Sequence, residues 1–324
     1  MRAPVAITIG NFDGVHRGHQ ALIAAARAAV GPDGRVVALS FDPLPATWFR
    51  GDDAPKRLGT ADQRSEALQA AGADAVEFLN PADGVLSWTP EAFVAELSRR
   101  FAPRAIVEGP DFRFGAGRAG SLETLRALAA DAGFEVIEVP AVEAALAGQQ
   151  SVRVSSSRIR SLLAAGRVDD AARLLGRPWT LRGVVRPGAQ RGRTIGVPTA
   201  NVDAPGLMTP ADGVYSGEAC DGDGIWHRAA ISVARNPTFG ETERRVEVHL
   251  VDYAGPIGAY DWTCDVRFHR WIRDVIPFPS IDALTAQLRR DIDQARRAPT
   301  PSDLNLHAAA PSIVPVPSSE QSHA

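Results

Sequence analysis

Lysine is almost missing from this chain: Lys56 is the single one in 324 residues, and it stands in no Gly-x-x-x-x-Gly-Lys-Ser/Thr loop. A Walker-type phosphate loop and a protein-kinase core each place a lysine in a defined context, so both are excluded. Cationic work must fall to arginine, histidine or a metal ion. Cysteine is scarce too. The two present, Cys220 and Cys264, give no disulfide framework, and because a closed zinc site wants four ligands and they lie far along the chain, the N-terminal histidines are not expected to form one with them. No apolar run reaches membrane length and no charged-then-apolar leader opens the sequence, so the expectation is a cytoplasmic chain with no membrane partner. A formal net charge of -3 argues against a nucleic-acid-coating surface, and no nucleic-acid partner is expected.

What remains is ordinary soluble composition, 45% hydrophobic and 23% charged, in a chain long enough for two domains. The most informative stretch is Gly10-Asn11-Phe12-Asp13-Gly14-Val15-His16-Arg17-Gly18-His19. It follows the apolar run 5–9 and precedes a helix-like segment from Gln20. Where a strand, a glycine-rich turn and a helix start meet, unpaired amides and the positive end of the helix dipole converge on an anion. His16 and His19, at i and i+3, lie on one face where both can donate to phosphate oxygens, and Gly18 removes a side chain that would block approach. This His-x-Gly-His pattern resembles the signature of nucleotidyltransferases, whose work is to hold a triphosphate while a second substrate attacks it.

Downstream, apolar runs at 36–41, 75–79 and 105–109 alternate with helices capped by Thr60 and by Thr89 with Pro90. That alternation predicts a parallel, doubly wound sheet with ligands at the carboxyl ends of its strands. The loop 108–120 leaves such an end. It carries Asp111, Phe112 and Phe114, suited to a flat aromatic ring system, although glycine-rich loops are more often simply solvated. A helix start at Ser155-Ser156-Ser157, with Arg158 and Arg160, holds more hydroxyls and cations than capping alone needs. It suits the outer phosphates of ATP, with Arg160 answering charge on departing pyrophosphate.

After Pro178 the texture changes to short strand candidates at 181–185, 213–219, 228–233, 246–250 and 263–268, with a helix from Ile281 towards Ala295. A small antiparallel barrel with a terminal helix is expected. Inside it, a glycine-rich stretch from Gly188 through Gly196 leads to Pro198-Thr199-Ala200-Asn201. Thr199 and Asn201 supply hard oxygen ligands of the kind magnesium takes beside substrate phosphates. Glu247 has the chemistry of a general base for an attacking hydroxyl.

With these motifs in this order, residues 5 to 296 resemble the bacterial bifunctional riboflavin kinase/FMN adenylyltransferase family, also called FAD synthetase. The resemblance implies a Rossmann-like nucleotidyltransferase domain over 1–178 and a riboflavin kinase barrel over 179–297, while the proline-, serine- and alanine-rich stretch 298–324, without periodicity, is expected to be a disordered tail. It implies riboflavin, FMN and ATP as substrates, Mg2+ accompanying ATP, FMN and FAD as products, and leaves the oligomeric state open. By the same likeness His16, His19 and Arg160 serve adenylyl transfer and Glu247 serves the kinase. Nucleotide or flavin binding falls to Gly10, Phe12, Asp13, Gly14, Gly18, Asp111, Phe112, Ser155, Ser156 and Ser157 in the first half. In the second it falls to Gly196, Pro198 and Arg273, with Thr199 and Asn201 as metal ligands. The run Asn236-Pro237-Thr238-Phe239 belongs to the same set of motifs. Departures exist. Leu44 stands where the family usually has histidine, Ser157 replaces a threonine, 257–261 replaces a Leu-Tyr-Gly-like turn, and 273–278 lacks a usual glutamate. They keep open a single-activity adenylyltransferase with a weakened kinase half, or a non-catalytic flavin- or nucleotide-binding regulator.

Overall fold

Five strands of the first half, β1 (Val5–Ile9), β2 (Arg35–Phe41), β3 (Ala75–Leu79), β4 (Ala105–Glu108) and β5 (Glu135–Glu138), form one parallel sheet in the order β3-β2-β1-β4-β5. The computed structural model describes residues 3–148, 151–188, 191–235, 244–255 and 257–299. In the central strands nearly every residue is buried, as both faces of a parallel sheet require. Helices α1 (Arg17–Val30), α2 (Pro45–Arg50), α3 (Ala61–Ala70), α4 (Pro90–Phe101) and α5 (Leu122–Ala132) connect them. One core sits under α1 and α3, around Ile23, Ala26 and Leu68; the other sits under α4 and α5, around Phe93, Leu97 and Leu125. The helix starts form where the sequence signals them. Thr60 accepts from the Gln63 amide while Gln63 reaches back to the Thr60 amide, and Thr89 caps α4 with Pro90 in its first turn.

The strand order reverses between β1 and β4, so the crevice for ligands opens at the carboxyl ends of those two strands. Ile9 donates its amide to Glu108 Oε1 at 2.6 Å, tying the two ends together. Burial pushes the Glu108 carboxyl well above the usual carboxylate range.

A short pair, β6 (Glu143–Ala145) and β7 (Ser151–Arg153), leads to α6 (Ser156–Ala164) and α7 (Val168–Leu175). The second half is a closed antiparallel barrel, β10-β11-β12-β9-β8-β13. Its strands are β8 (Trp179–Arg186), β9 (Ala200–Asp203), β10 (Gly213–Cys220), β11 (Trp226–Arg235), β12 (Arg244–Leu250) and β13 (Thr263–Arg273). A one-turn helix, α8 (Arg191–Thr194), precedes β9, and α9 (Ile281–Arg297) closes the described chain. Strand β9 falls outside the strands that the sequence suggests. It is four residues long, contains Asn201 and Asp203, and owes its conformation to pairing with β8 and β12 rather than to intrinsic preference.

The halves share more than a linker. Helices α6 and α7 bury Ile159, Leu163 and Leu174 in the same apolar cluster as Leu181, Tyr215 and Phe268 of the barrel. Trp179 Nε1 donates to Leu58 O at 2.9 Å, and Arg182 pairs with Glu66 at 2.7 Å and with Asp265 at 2.7 Å. Of the expected tail, only Ala298 and Pro299 lie among the described residues.

Candidate active sites

The histidine motif occupies the switch point. Gly10 leaves β1 with its amide on Leu39 O at 2.9 Å, and the chain then turns through positive φ at Phe12 (47°), Gly14 (82°) and Val15 (41°). His16 caps α1, its Nδ1 accepting from the His19 amide at 3.4 Å. The two imidazoles stack with centroids 3.6 Å apart, and the His19 ring meets the buried Phe12 ring edge-on at 5.1 Å. A Cβ on Gly18 would lie 3.2 Å from the His16 ring, so glycine is what lets the ring fold over the helix start. Burial pulls His16 down to about 4 and holds His19 well below its ordinary value, the latter helped by His16 and Arg177. Both are neutral at physiological pH. Because His16 Nδ1 accepts, its proton sits on Nε2, which leaves Nε2–H as the donor for an anion.

The serine-arginine helix is brought to this loop. Ser156 Oγ donates to Asp13 O at 2.8 Å, and Arg160 pairs with the Asp13 carboxylate while its Nε donates to Lys56 O at 2.8 Å. Ser155 caps α6 through the Arg158 amide at 3.2 Å, and Ser157 is exposed at the same helix start. Asp13 is buried, and also accepts from the Leu58 amide at 2.9 Å. Burial raises its carboxyl against the lowering effect of Arg160. The aspartate thus ties three segments together at the floor of this loop.

Asp111 and Phe112 leave the neighbouring end, after β4. Asp111 is exposed and paired with Arg153; the Phe112 ring stacks on Phe114 at 5.4 Å. Neither touches the histidine loop in any contact described. Leu44, at the departure noted above, is buried at the start of α2, and gives that helix no side-chain cap.

In the barrel, Asn201 on β9 is the direct cross-strand partner of Glu247 on β12. Their neighbours Val202 and Val246 pair in the core, so Asn201 and Glu247 share the outer face, with Thr199 two residues before Asn201. Gly188 lies against Asn201: a Cβ there would sit 2.0 Å from the amide nitrogen. His249 Nδ1 bonds Pro198 O at 2.8 Å and so holds the segment that follows Gly196. Beside it opens a cavity of about 570 Å³, walled by Thr199, Pro198, Gly196, His249, Tyr253 and Trp262. The departing segment reaches the same wall through Ile257 and Tyr260. No sequence signal singled out Tyr253 or Trp262, which lie outside every motif.

Arg273 is not with this group. Its guanidinium grips the buried Asp291 of α9 at 2.6 to 3.1 Å and lies over Phe278 at 5.6 Å. Asn236-Pro237-Thr238-Phe239 lies outside the described residues. Among the described residues no group of three or more His, Cys, Asp or Glu side chains forms a metal cluster. Thr199 and Asn201 carry oxygen donors beside Glu247.

The sequence model of the family described as FAD synthetase matches residues 1–158, and that of riboflavin kinase matches 175–298. The chain is 36% identical over 300 residues to a bifunctional riboflavin kinase/FMN adenylyltransferase of Pseudomonas fluorescens, covering 91% of this chain and 93% of the relative. It is 34% identical to the protein of the same name from Escherichia coli K12, covering 90% and 91%. A crystal structure described as a macrolide-efflux protein from Streptococcus pneumoniae superposes with a TM-score of 0.80 at 32% identity, covering 92% of this chain and 96% of that one. That description concerns efflux, whereas the family matches and the named relatives concern flavin synthesis. No described helix is long and apolar enough to cross a membrane. Matched in both halves and along nine-tenths of its length, the chain belongs to the bifunctional riboflavin kinase/FMN adenylyltransferase family.

Proposed function

We propose that this enzyme's two reactions, phosphorylation of riboflavin by ATP to FMN and adenylylation of FMN by ATP to FAD and pyrophosphate, run at two separate sites. Residues 1–178 carry the adenylyltransferase and 179–297 the kinase. The observation that carries this reading is the presence of two phosphate-type constellations on two different folds, one at the switch point of a parallel sheet and one on the outer face of a barrel.

At the first site, His16 and His19 hold the triphosphate as neutral donors, with the amides at the start of α1. An oxygen of the FMN phosphate attacks the α-phosphorus; the new P–O bond forms as the bond to the β-phosphate breaks, and pyrophosphate leaves. Arg160, Ser155 and Ser156 sit where that leaving charge grows, while Gly10, Phe12, Asp13, Gly14 and Gly18 shape the loop. Asp111, Phe112 and Ser157 complete the rim. No covalent intermediate is needed, so positioning and fixed dipoles account for the catalysis.

At the second site, Glu247 takes the proton of the terminal ribityl hydroxyl as its oxygen attacks the γ-phosphorus and ADP leaves. Thr199 and Asn201 would hold magnesium, which would neutralise phosphate charge there. Gly196 and Pro198 line the nucleotide cavity, and Arg273 supports the flavin side through α9. The same reading puts the enzyme in the cytoplasm, where ATP is at hand; the free thiols of Cys220 and Cys264 agree with it.

The test is a pair of assays, riboflavin with ATP and magnesium, then FMN with ATP and magnesium. Each should give its own product. Loss of both activities in a folded Glu247→Ala variant would contradict the two-site assignment.

A further inference from the structure

One arginine outside every motif holds the nucleotide loop. Arg177 follows α7 and its C-terminal Gly176, in the short segment that joins the two halves. Its Nη2 donates to Gly14 O at 2.8 Å and its Nη1 to Val15 O at 2.9 Å, so one guanidinium fork spans two successive carbonyls. Gln20 Nε2 adds bonds to Val15 O at 2.9 Å and Leu175 O at 2.8 Å.

Those carbonyls belong to an unfavourable turn. Val15 is β-branched and adopts φ 41°, and Phe12 adopts φ 47°. Such residues at positive φ are strained and persist only when the surroundings over-determine them. Burial of both side chains supplies part of that, since Phe12 and Val15 are almost fully enclosed. The polar part comes from Arg177 and Gln20. The residue after Val15 is His16, whose own backbone and ring start α1. A turn free to relax at Val15 would re-aim both imidazoles.

We propose that Arg177 is a positioning residue for adenylyl transfer, its fork locking the Phe12–Val15 turn so that His16 and His19 meet the triphosphate in a fixed orientation. The inference rests on the reading of these histidines as phosphate-binding groups. It also assigns a part in the first reaction to a residue within the segment matched by the riboflavin kinase model, 175–298. Two residues on, Trp179 grips Leu58 O, and the Leu58 amide grips Asp13. The junction therefore holds the loop from two sides, and docking of the barrel sets the geometry of the adenylyl site.

The experiment uses the full chain with Arg177→Met and Arg177→Lys, measuring kcat and KM for ATP in FMN adenylylation, riboflavin kinase rate on the same samples, and the thermal midpoint. In Arg177→Met, adenylyl-transfer kcat should fall by about tenfold to a hundredfold, the scale of a misplacement near one ångström. The kinase rate should stay at the parent level. Arg177→Lys should recover only part of the loss, because an ammonium is a point donor and cannot span both carbonyls. Unchanged adenylyl transfer in a folded Arg177→Met overturns the proposal, and so does a parallel fall of both activities with the thermal midpoint, which marks a general structural role. Should Arg177→Met fail to fold, Arg177→Lys decides: an unaltered kcat overturns the proposal, and a lowered one beside an intact kinase rate and midpoint supports it. His16→Asn is measured alongside. Full adenylyl transfer in that variant would refute the histidine reading itself, separately from the outcome for Arg177.

Discussion

Asn201 stands directly opposite Glu247 across the β9–β12 ladder. Cross-strand partners hold their Cβ atoms roughly 5 Å apart, so the two polar side chains stand side by side on one face. The rung is fixed by its neighbour, because Val202 and Val246 pair inside the barrel and a one-residue slip would bury both polar groups. The apolar core thereby sets the register of the proposed kinase pair.

Glu247→Gln keeps the shape and removes the basic oxygen. FMN formation from riboflavin should drop by about a hundredfold or more, the usual scale for a general base. FAD formation from supplied FMN should be unchanged. Chromatographic separation of the flavins measures both, and a Gln variant with near-parent FMN formation would remove Glu247 from the mechanism.

Gly188→Ala tests the placement of Asn201 without touching it. The added Cβ would fall 2.0 Å from the Asn201 amide nitrogen, a clash that displacement of that side chain relieves. The kinase rate should fall and more magnesium should be needed for half-maximal rate, as in Asn201→Ala. Adenylyl transfer should hold. A magnesium titration of the kinase step reads this out, and a parent-like curve in both variants would separate Asn201 from the metal.

Acid should weaken this fold partly through His16. The unfolded imidazole takes up a proton near 6.5, while burial holds the native one at about 4. Between those values the unfolded chain binds more protons, so stability is full above about 6.5 and declines as pH falls toward 4, by on the order of 3 kcal/mol. Asp13 and Glu108, whose carboxyls burial raises, act in the opposite sense, so the informative quantity is a difference between variant and parent. Urea denaturation from pH 7.5 to about 4.5 should show a shallower loss in His16→Asn. Equal slopes would mean that His16 is not buried neutral.

Much of the architecture is legible in residue patterns, for identifiable reasons. The buried strands of the sheet are apolar runs, and Thr60, Thr89 and Ser155 announce their helices through local hydrogen bonds. Strand β9 is not legible, because its conformation comes from distant partners. The histidine motif is visible because strand, turn and helix are contiguous. Arg177 is invisible for the opposite reason: its partners Gly14 and Val15 lie 163 and 162 residues away along the chain. Asp13 resembles a ligand in the motif, yet in the fold its carboxylate is engaged by Arg160 and Leu58.

Arg273 shows how a motif residue and a structural one can be told apart. Its fork grips Asp291, whose side chain is 2% exposed and also accepts from Gln287 at 2.8 Å, so the pair pins α9 to the end of β13. Removing one partner leaves an uncompensated buried charge, which typically costs about 3 to 5 kcal/mol, whereas replacing both with apolar residues is often close to neutral. Arg273→Ala and Asp291→Ala should each lower stability by about 3 kcal/mol in denaturant. The double variant Arg273→Leu with Asp291→Leu should regain most of it. That double variant then isolates the flavin question. With α9 docked again, a raised KM for riboflavin means that the guanidinium itself meets the flavin, and a parent-like KM means that Arg273 acts only by holding the helix. The geometry favours the second outcome, since every nitrogen of the fork already has a partner on Asp291 or Asp274.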